Sequence, residues 1–442
     1  THAKADALLH IANGIKARRE EFAETMVAET AKPITYARAE VDRAILTFID
    51  GAEECKRIYG EWMPLDRHPS GNNHEAIIRR FPVGLVAAIA PFNFPLNLVA
   101  HKLAPAIAAG CPIILKPASK TPISALLLAE LIDETQLPKG AVSILPMDRE
   151  TGDMMVTDDR FKLLTFTGSP VIGWDMKARA GKKKTVLELG GNAAAIITES
   201  TNFETALAKC VTGAFSFSGQ SCIHTQRIYI HEKHFDKFTS RFVEETKKLV
   251  YGDPMDEKTQ ISSMIDAKNA ERIDVWVKEA VSQDATVLCG GSFANSLSSA
   301  RKGRVAAHVP LYAEGRVGES SGRTGFLPTI LTNTNAEMTI CAEEAFAPVV
   351  ILEKYSKFSD ALASVNNSKF GLQAGVFTDS MHEVMTAYDV LDVGGVIINN
   401  VPTFRADHMP YGGVKDSGIG REGVRYVIED MTELKVLVIN KI

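Results

Sequence analysis

Short apolar runs alternate with longer segments of helical length between residues 81 and 189. The runs have the length of buried strands: VGLVAAIA, PIILK, AVSILP, KLLTFT and KTVLEL. Segments such as LNLVAHKLAPAIAAG and ISALLLAELIDET lie between them. Buried strands that alternate with helices are typical of a parallel sheet, whose functional loops follow the carboxyl ends of its strands. We therefore predict a doubly wound, Rossmann-like α/β domain, and we expect each loop that carries chemistry to lie at such an end.

A second α/β series follows between residues 191 and 411. Its patterning predicts helices at 203–214, 235–249 and 266–282, and strands near 227–231, 285–289, 348–354 and 395–399. The segment 292–325 is rich in Ser, Gly and Arg without clear periodicity, and we predict a surface insertion there. Two more segments, 74–82 and 433–440, alternate as exposed strands do. We expect them to share one extra sheet, whose exposed edge invites pairing with another subunit.

Composition narrows the class of protein. The 442 residues are 45% apolar and 23% charged, which is typical of a soluble globular chain with two or three domains. A net charge of −5 argues against nucleic acid or an anionic membrane as the main partner, and no apolar run reaches the roughly 18 residues of a membrane span. The sequence begins at Thr1 inside a predicted helix, so we expect further residues to precede it.

Cysteine and histidine spacing bears on redox state and metals. Six scattered cysteines without C-x-x-C spacing favour a reducing, cytoplasmic compartment without disulfides. His231 and His234 lie in the polar stretch IHEKHFDKF, and we interpret them as the start of a helix. No metal site is predicted.

Cys222 is a lone thiol within FSFSGQSCIHTQR, residues 215–227. A free thiol has a pKa of about 8.5, so about 3% is thiolate at pH 7 unless the site lowers that pKa. A buried structural cysteine is the usual alternative. The polar neighbours Ser218, Gln220 and His224 count against it, because a core cysteine has apolar company. We predict a nucleophile and leave the structural alternative open.

Asn93 and Glu188 each lie near the end of a predicted strand. Asn93 stands between two prolines in IAPFNFPLNL, so its amide is a candidate oxyanion donor, worth about 3 kcal/mol to a transition state. Capping of the next turn is the alternative role for this amide. Glu188 precedes two glycines in TVLELGGNA and is a candidate general base toward water. A salt-bridged or solvated glutamate is its alternative.

Two further loops are candidates for binding phosphate. Lys116 lies in ILKPASKTP, and Gly168 with Ser169 opens a helix in FTGSPVIG, whose N-terminal amides suit an anion. The G-x-G-x-x-G fingerprint is absent between residues 81 and 189, so a dinucleotide there must be held in another way.

These loops, in this order, resemble the aldehyde dehydrogenase superfamily. The resemblance is carried by PFNFP, KPASKTP, FTGS, LELGGNA, GQSC, EEAFAPV and PYGGVKDSGIGREG, and it covers nearly the whole chain outside 292–325. The segments PFNFPLNLVAHKLAPAIAAG and VPTFRADHMPYGG are most similar to the lactaldehyde dehydrogenase-like branch. That branch is related to succinic-semialdehyde and non-phosphorylating glyceraldehyde-3-phosphate dehydrogenases.

The resemblance implies NAD(P)⁺-dependent oxidation of an aldehyde to its carboxylic acid. Cys222 then adds to the carbonyl, and the Asn93 amide and the Cys222 backbone N–H hold the oxyanion. Hydride transfer to the nicotinamide leaves a thioester, and Glu188 activates the water that releases the acid. The cofactor residues carried over from the family are Lys116, Ser119, Gly168, Ser169, Glu344 and Phe346.

The resemblance also bears on the choice of cofactor. The family often has glutamate three positions after the residue matching Lys116, where it binds both ribose hydroxyls of NAD. This chain has Ser119 there, followed by Lys120. Without that carboxylate a 2′-phosphate meets less repulsion, and a lysine attracts it. We therefore predict that NADP is accepted.

The substrate prediction depends on the stretch PTFRADHM, which lines the substrate entrance in the family. Arg405 there is a candidate for pairing with a carboxylate, phosphate or sulfonate, with His408 beside it. A surface arginine tied to Asp407 or solvent is the alternative. We predict a short hydroxyaldehyde or an anionic semialdehyde.

The domain division follows from the resemblance as well. It implies an NAD(P)-binding domain at 1–66 and 83–190, and a catalytic domain at 191–416. Oligomerisation strands are expected at 67–82 and 431–442, in a homodimer or homotetramer.

Three other functions fit parts of the sequence. A CoA-acylating aldehyde dehydrogenase has little need of a deacylating base, so Glu188 counts against it. A cofactor-binding relic without turnover is opposed by the intact Cys222, Asn93 and Glu188. A cysteine hydrolase needs a histidine base, and nothing in the sequence designates His224 for that role.

Overall fold

The computed structural model describes residues 1–294 and 324–441. Its helices are α1 (His2–Ala17), α2 (Arg19–Thr30), α3 (Ile34–Glu54), α4 (Asn97–Ala109), α5 (Ile123–Asp133), α6 (Arg149–Thr157), α7 (Pro170–Arg179), α8 (Phe203–Phe215), α9 (Glu232–Lys247), α10 (Ala267–Ser282), α11 (Thr339–Ala342), α12 (Phe358–Asn366), α13 (Met381–Val390) and α14 (Val424–Asp430). None of these helices is long and apolar enough to cross a membrane. Most of the predicted insertion at 292–325 lies outside the described residues.

The strands are β1 (Glu61–Pro64), β2 (His74–Pro82), β3 (Leu85–Ile89), β4 (Ile113–Lys116), β5 (Val142–Ile144), β6 (Phe161–Thr167), β7 (Lys184–Glu188), β8 (Ala194–Ile197), β9 (Arg227–His231), β10 (Thr286–Cys289), β11 (Thr329–Thr332), β12 (Val349–Tyr355), β13 (Phe370–Gly371), β14 (Gln373–Phe377), β15 (Gly395–Ile398), β16 (Val414–Lys415), β17 (Gly418–Ile419) and β18 (Thr432–Asn440). The predicted α/β class is confirmed.

The first large sheet has the strand order β17-β7-β6-β3-β4-β5, and β3 to β7 run parallel. These five parallel strands are the five apolar runs of the sequence. The chain moves from β3 outward to β5 and then returns to place β6 on the other side of β3. Strand order therefore reverses between β3 and β6, which is where doubly wound sheets bind their ligands.

The second large sheet has the order β10-β11-β12-β9-β8-β14-β15, and β10 alone runs antiparallel to its neighbour. The predicted strands near 227–231, 285–289, 348–354 and 395–399 are confirmed as β9, β10, β12 and β15. Strands β8, β11 and β14 were not predicted. Each has only four or five residues, a length at which an apolar run has no diagnostic period.

The strand ends of the two large sheets face each other. Strand β7 ends at Glu188 and β8 begins at Ala194, so the carboxyl edge of the first sheet adjoins the amino edge of the second. Because β9 and β12 run parallel to β8, the loops that precede them also face the first sheet. Those loops contain Cys222 and Glu344, so the expectation that every such loop follows a carboxyl end is wrong for these two.

Helix α4 is the centre of the larger core. All thirteen of its residues are buried, and it ends at Gly110 in the left-handed conformation at φ 84°, a common helix stop. Helices α1, α3 and α14 pack around it. A helix that is apolar on every side belongs inside a protein, so the LVAHKLAPAIAA pattern explains this position.

Strands β1, β2 and β18 form a third sheet, and β2 pairs with β18 antiparallel over nine residues. The predicted pairing of 74–82 with 433–440 is thus confirmed. Apolar side chains stay exposed along this sheet: Trp62, Leu434, Val436, Leu437 and Val438. A two-stranded sheet, β13 with β16, lies apart from these three.

Candidate active site

The turn before Cys222 has an uncommon backbone. Phe217, Ser218 and Gly219 are successive left-handed residues, with φ of 48°, 54° and 68°. A Cβ at position 219 would clash with the carbonyl oxygen of Ala347, so only glycine fits there. The hydroxyl of Ser218 donates to the carbonyl of Ser262 at 2.8 Å. This turn leads the chain from α8 to the amino edge of the second sheet.

The Cys222 thiol is half-buried, and its sulfur lies 2.9 Å from the hydroxyl of Tyr411. Burial raises the pKa of the thiol to about 12, although the hydrogen bond with Tyr411 opposes that rise. The nearby His224 is buried, and its Nε2 donates to the carbonyl of Ala214 at 2.8 Å. Burial lowers the pKa of His224 to about 4, so this ring is neutral and already engaged.

The Asn93 side chain is 4% exposed and lies beside the thiol loop. Its Nδ2 donates to the carbonyl of Gln220 at 3.1 Å, two residues before Cys222. An amide nitrogen carries two hydrogens, so this bond fixes the orientation and leaves the second hydrogen for a ligand. The geometry is that of a preorganised donor.

A buried ion pair supports the Asn93 loop from behind. Lys32 and Glu40 pair at 1% and 0% side-chain exposure, and Lys32 Nζ also donates to the backbone carbonyl of Asn93 at 2.7 Å. The other Glu40 oxygen accepts two backbone N–H bonds at the start of α4. The ammonium lies 4.1 Å and 4.3 Å from the ring centroids of Phe94 and Phe217. The Lys32–Glu40 pair thus joins the loop of Asn93 to the turn that precedes Cys222.

Glu188 ends β7 and is 3% exposed. Neither of its carboxyl oxygens has a hydrogen-bond partner among the described residues. Burial raises the pKa of Glu188 well above its usual range, and the nearby Glu422 carboxylate raises it further. A buried carboxyl without a partner is costly for the fold, so this group is a candidate for chemistry.

Glu422 is buried too, but it has partners. Arg405 Nη2 donates to one of its oxygens at 2.9 Å, and Lys102 Nζ lies 3.7 Å from the other. Lys102 also donates to the hydroxyls of Thr165 and Thr167 at 3.0 Å and 2.8 Å. Burial opposes ionisation of Glu422, yet Arg405 and Lys102 lower its pKa to about 2. The two neighbouring glutamates therefore differ in charge.

Asp407 gathers a second set of partners. Arg43 donates to both of its oxygens, at 2.9 Å and 2.7 Å, and Asn97 Nδ2 donates at 3.1 Å. His101 Nε2 lies 2.8 Å from Asp407 and 3.1 Å from Arg405. Burial opposes ionisation of Asp407, but the His101 and Arg43 hydrogen bonds hold its pKa well below the usual range. We name these connected groups the charged cluster: Arg43, His101, Lys102, Arg405, Asp407 and Glu422.

Arg405 and His408 lie in different surroundings. The Arg405 side chain is 6% exposed, and its guanidinium carbon lies 3.8 Å from the centroid of the Tyr411 ring. Arg405 is therefore not a surface arginine, although its Nε does lie 3.8 Å from Asp407 Oδ1, and its Nη2 donates to Glu422. His408 is exposed at the surface. The structure thus brings only Arg405 into the cluster.

The loops at the β3–β6 reversal offer groups that fit a dinucleotide. Lys116 is 9% exposed. Its Nζ makes long hydrogen bonds, 3.4 Å to the carbonyl of Pro117 and 3.5 Å to Ser119 Oγ. Its ammonium therefore retains donors for ribose hydroxyls. Helix α7 begins after Ser169 with Pro170 at its first position, and the exposed Ser169 side chain makes no cap bond. The amides of that first turn suit a phosphate.

Glu344 and Phe346 lie across from these loops. Gly191 N donates to Glu344 Oε1 at 2.9 Å, and burial raises the pKa of Glu344 to about 7. Phe346 has a left-handed backbone at φ 49°, which is uncommon for an aromatic residue. Its ring meets that of Phe92 edge to face at 5.9 Å between centroids. An aromatic wall and a carboxyl thus lie between the two sheets.

Comparison with known proteins decides the family. A model of the aldehyde dehydrogenase family matches residues 1–437. The chain belongs to the aldehyde dehydrogenase family. It is an NAD(P)-dependent aldehyde dehydrogenase, and the predicted resemblance is confirmed.

Three relatives place this aldehyde dehydrogenase more closely. The 3-sulfolactaldehyde dehydrogenase of Priestia aryabhattai is 43% identical over 98% of this chain and 86% of its own. Aldehyde dehydrogenase 21 of Physcomitrella patens, solved with the product succinate, has TM-score 0.91 and 45% identity over 100% and 86% of the two chains. The glyceraldehyde-3-phosphate dehydrogenase GapN of Methanocaldococcus jannaschii, solved with NADP, has TM-score 0.88 and 34% identity over 99% and 90%.

The two positions that bear on cofactor choice in this aldehyde dehydrogenase are Ser119 and Lys120. Ser119 is exposed. Lys120 forms an ion pair with Asp266, the residue that caps α10. The positive charge of Lys120 is therefore partly offset, and the missing carboxylate at position 119 is the stronger of the two arguments for NADP.

Sequence reasoning missed several site residues of this aldehyde dehydrogenase: Lys32, Glu40, Arg43, His101, Lys102, Tyr411 and Glu422. A signal existed for His101 and Lys102, because they interrupt an otherwise apolar helix, and a buried charge requires a partner. Arg43 and Asp407 are 364 residues apart, and no local pattern connects residues so distant.

Proposed function

We propose that this aldehyde dehydrogenase oxidises a short anionic aldehyde to its carboxylate, with Cys222 as the nucleophile and Glu188 as the base that activates water. One observation carries this proposal. A buried carboxyl without a hydrogen-bond partner among the described residues, Glu188, lies close enough to Cys222 to add to the rise that burial causes in the pKa of its thiol. Buried groups that other side chains leave unpaired, in a site with shifted pKa values, are typical of catalytic residues.

In the first stage the Cys222 thiolate adds to the aldehyde carbon and forms a thiohemiacetal. The free hydrogen of Asn93 Nδ2 and the backbone N–H of Cys222 stabilise its oxyanion. The bond between Asn93 and Gln220 holds the amide in place before the aldehyde arrives. That preorganisation makes the donor effective.

When bound, NAD(P)⁺ would supply the hydride acceptor, and Cys222 would then carry the acyl group as a thioester. Lys116 would hold the ribose, the α7 amides after Ser169 would hold the pyrophosphate, and Glu344 with Phe346 would hold the nicotinamide side. Glu188, once ionised, takes a proton from water as the water oxygen adds to the thioester carbon. The thiolate leaves, the acid is released and Glu188 returns its proton to solvent. One aldehyde, one water and one NAD(P)⁺ thus give one acid, one NAD(P)H and one proton.

The charge of the site supports an anionic substrate. Three cations of the charged cluster, Arg43, Lys102 and Arg405, face two carboxylates, Asp407 and Glu422. His101 is neutral because burial lowers its pKa, and Glu188 is neutral because burial raises its pKa. Burial lowers the pKa of Lys102 as well, so Arg43 and Arg405 are the lasting cations of the cluster, and a cation near a buried site attracts an anion. Relatives named for sulfolactaldehyde and solved with succinate agree with this class.

Arg43 is the cation that a substrate reaches most readily, because its side chain is 29% exposed. Arg405 contributes its charge from a buried position. His408 stays outside this proposal, because its ring is exposed and apart from the charged cluster.

We further propose that NADP⁺ is accepted, since no carboxylate at Ser119 repels a 2′-phosphate. Comparing kcat/KM for NADP⁺ and NAD⁺ tests this. Ser119→Glu should lower kcat/KM for NADP⁺ and leave that for NAD⁺ nearly unchanged. A strong NAD⁺ preference in the unaltered protein would contradict the proposal.

We propose that the protein forms a homodimer or homotetramer and lies in the cytoplasm. The exposed apolar strand β18, with Leu434, Val436 and Val438 more than half exposed, supports assembly. The described cysteines are free thiols, which favours a reducing compartment. Sedimentation of the protein, with Val436→Glu as the variant, tests the assembly.

The experiment that tests the substrate class is an aldehyde panel followed at 340 nm. Anionic three- and four-carbon aldehydes should have kcat/KM at least ten times that of neutral aldehydes of equal length. Arg43→Gln should remove most of that preference, whereas the surface variant Arg241→Gln should leave it unchanged. Acyl-CoA formed on addition of CoA would instead support the acylating alternative. The absence of any NAD(P)H formation would support a relic.

A further inference from the structure

The Tyr411 hydroxyl is the polar group that the structure places on the reacting sulfur. Its oxygen lies 2.9 Å from Cys222 Sγ, a short distance for a hydrogen bond that involves sulfur. The ring is 3% exposed and packs with Ile223 and Leu372, so it has little freedom to turn. The hydroxyl therefore stays at the sulfur in the resting enzyme.

Arg405 packs against the face of the Tyr411 ring. Its guanidinium lies 3.8 Å from the ring centroid and is held there by its bond to Glu422 at 2.9 Å. Backbone hydrogen bonds join Tyr411 and Glu422 in both directions, at 3.0 Å and 2.6 Å. The guanidinium over the ring and the sulfur at its hydroxyl thus both contact Tyr411.

We propose that Tyr411 is a further catalytic residue, whose hydroxyl donates a hydrogen bond to the Cys222 sulfur whenever that sulfur is anionic, and that Arg405 is a positioning residue that strengthens this donation. The inference rests on the proposed role of Cys222 as the nucleophile. Tyr411 keeps its own proton throughout, so no group is transferred in this step.

The direction of the hydrogen bond follows from the chemistry of the two groups. A thiolate has no proton to give, so the phenol must be the donor. Hydrogen bonds to an ionised acceptor are roughly twice as strong as neutral ones. The sulfur is anionic twice in each cycle, before it adds to the aldehyde and as it leaves the thioester. The same bond therefore favours both steps.

Burial makes such a donor necessary. The thiol is in surroundings that disfavour its ionisation, and burial raises its pKa to about 12, whereas the groups that lower it are Tyr411 and Arg405. A cation on the face of the ring withdraws electron density from the phenol and makes its O–H a better donor. Both side chains lie out of water, where such effects are screened little.

The test is the pH dependence of alkylation of Cys222 by iodoacetamide, with neither cofactor nor aldehyde present, quantified by the mass of the Cys222 peptide. Tyr411→Phe keeps the ring under Arg405 and removes only the hydroxyl. We expect the apparent pKa of the thiol to rise by about one unit, which is about tenfold slower alkylation below that pKa. The alkaline shift should also appear in the pH profile of kcat/KM.

Two further variants complete the experiment. Tyr355→Phe removes another buried hydroxyl, one that donates to the carbonyl of Ile197 at 3.1 Å, and should leave the alkylation profile unchanged. Arg405→Lys keeps the charge and loses the planar stack, so a smaller shift in the same direction is expected. If Tyr411→Phe does not fold, the Arg405→Lys profile decides.

The outcomes separate this inference from the proposed function. An unaltered alkylation profile in Tyr411→Phe, or in Arg405→Lys where the first variant is unfolded, overturns the inference and leaves Cys222 as the nucleophile. Full turnover in Cys222→Ser overturns the proposed function instead. The alkylation profile would then still report whether the hydroxyl acts on the sulfur.

Discussion

The charged cluster lies next to Cys222 and Glu188, but the two regions differ in how their ionisable groups are partnered. In the cluster each carboxylate accepts from an arginine, so Glu422 and Asp407 stay ionised although buried. Glu188 has no hydrogen-bond partner among the described residues, and the Cys222 thiol has a raised pKa. Paired charges hold the loops of the cluster in place, whereas we propose that Glu188 and the Cys222 thiol serve the reaction. Removing a cluster residue should lower the free energy of unfolding, whereas removing the Cys222 thiol or the Glu188 carboxyl should lower the rate of turnover.

The largest effect is expected for Cys222→Ser. A hydroxyl at this position is a much weaker nucleophile, so kcat should fall by roughly 10⁴-fold or more, with an unchanged unfolding midpoint in urea. Steady-state NAD(P)H formation measures the change. Cys289→Ser is the control, since that half-buried thiol lies on β10, and it should keep full activity.

Glu188→Gln should lower steady-state turnover by about 10²–10⁴-fold, the usual contribution of a general base. The first stage does not need this carboxyl, so one NAD(P)H per active site should form rapidly before turnover slows. Rapid-mixing absorbance at 340 nm records this burst. Glu353→Gln alters a half-buried glutamate whose pKa is also raised by burial, and it should show neither the burst nor the loss.

Asp407→Ala tests whether the charged cluster stabilises the fold. It leaves Arg43 without its carboxylate and removes contacts of His101 and Asn97. The free energy of unfolding in urea at pH 7 should fall by about 3–5 kcal/mol, the usual cost of breaking a buried pair. Asp392 is exposed and pairs with the half-buried Lys415, so Asp392→Ala is a control and should cost less than about 1 kcal/mol.

The pH dependence of this stability has a definite sign. Because the folded state holds the pKa of Asp407 below its unfolded value, its contribution is present above the unfolded pKa and is lost as pH falls. The stability lost between pH 7 and pH 3 should therefore be smaller in Asp407→Ala than in the unaltered protein. Equal losses would contradict the role of this carboxylate.

The smallest effect expected concerns the coupling between the two glutamates. Glu422→Gln removes a negative neighbour, which should lower the pKa of Glu188 and move the acidic limb of thioester hydrolysis to lower pH by about one unit. Lys102→Met removes a cation and should move the limb to higher pH. Shifts in the same direction for both variants would show that the coupling is not electrostatic.

The sequence predicted the positions of Asn93 and Glu188 better than the contacts of the charged cluster. Asn93 and Glu188 follow buried apolar runs, and the edge of a parallel sheet brings such ends together, so local pattern sufficed. The cluster depends on contacts over large separations: Tyr411 is 189 residues from Cys222, and Asp407 is 306 from His101. No alternation of polar and apolar residues encodes such pairs.

One prediction failed in an instructive way. The Cys222 loop was expected at a carboxyl end, but the short link from β7 to β8 turns the amino edge of the second sheet toward the first. The order of strands in space decided this, and the sequence pattern does not contain it. The pairing of Arg405 with a substrate anion stays a prediction; in the structure its guanidinium bonds Glu422 and stacks on the Tyr411 ring.

The most direct test of the account is the mass of Glu188→Gln after a single turnover with aldehyde and NADP⁺. We predict that the peptide containing Cys222 carries the acyl group of the substrate, in an amount equal to the NADPH formed, and loses it slowly. Released acid with an unmodified Cys222 peptide, or an acyl group on another residue, would contradict the central claim that this sulfur carries the substrate and this carboxyl frees it.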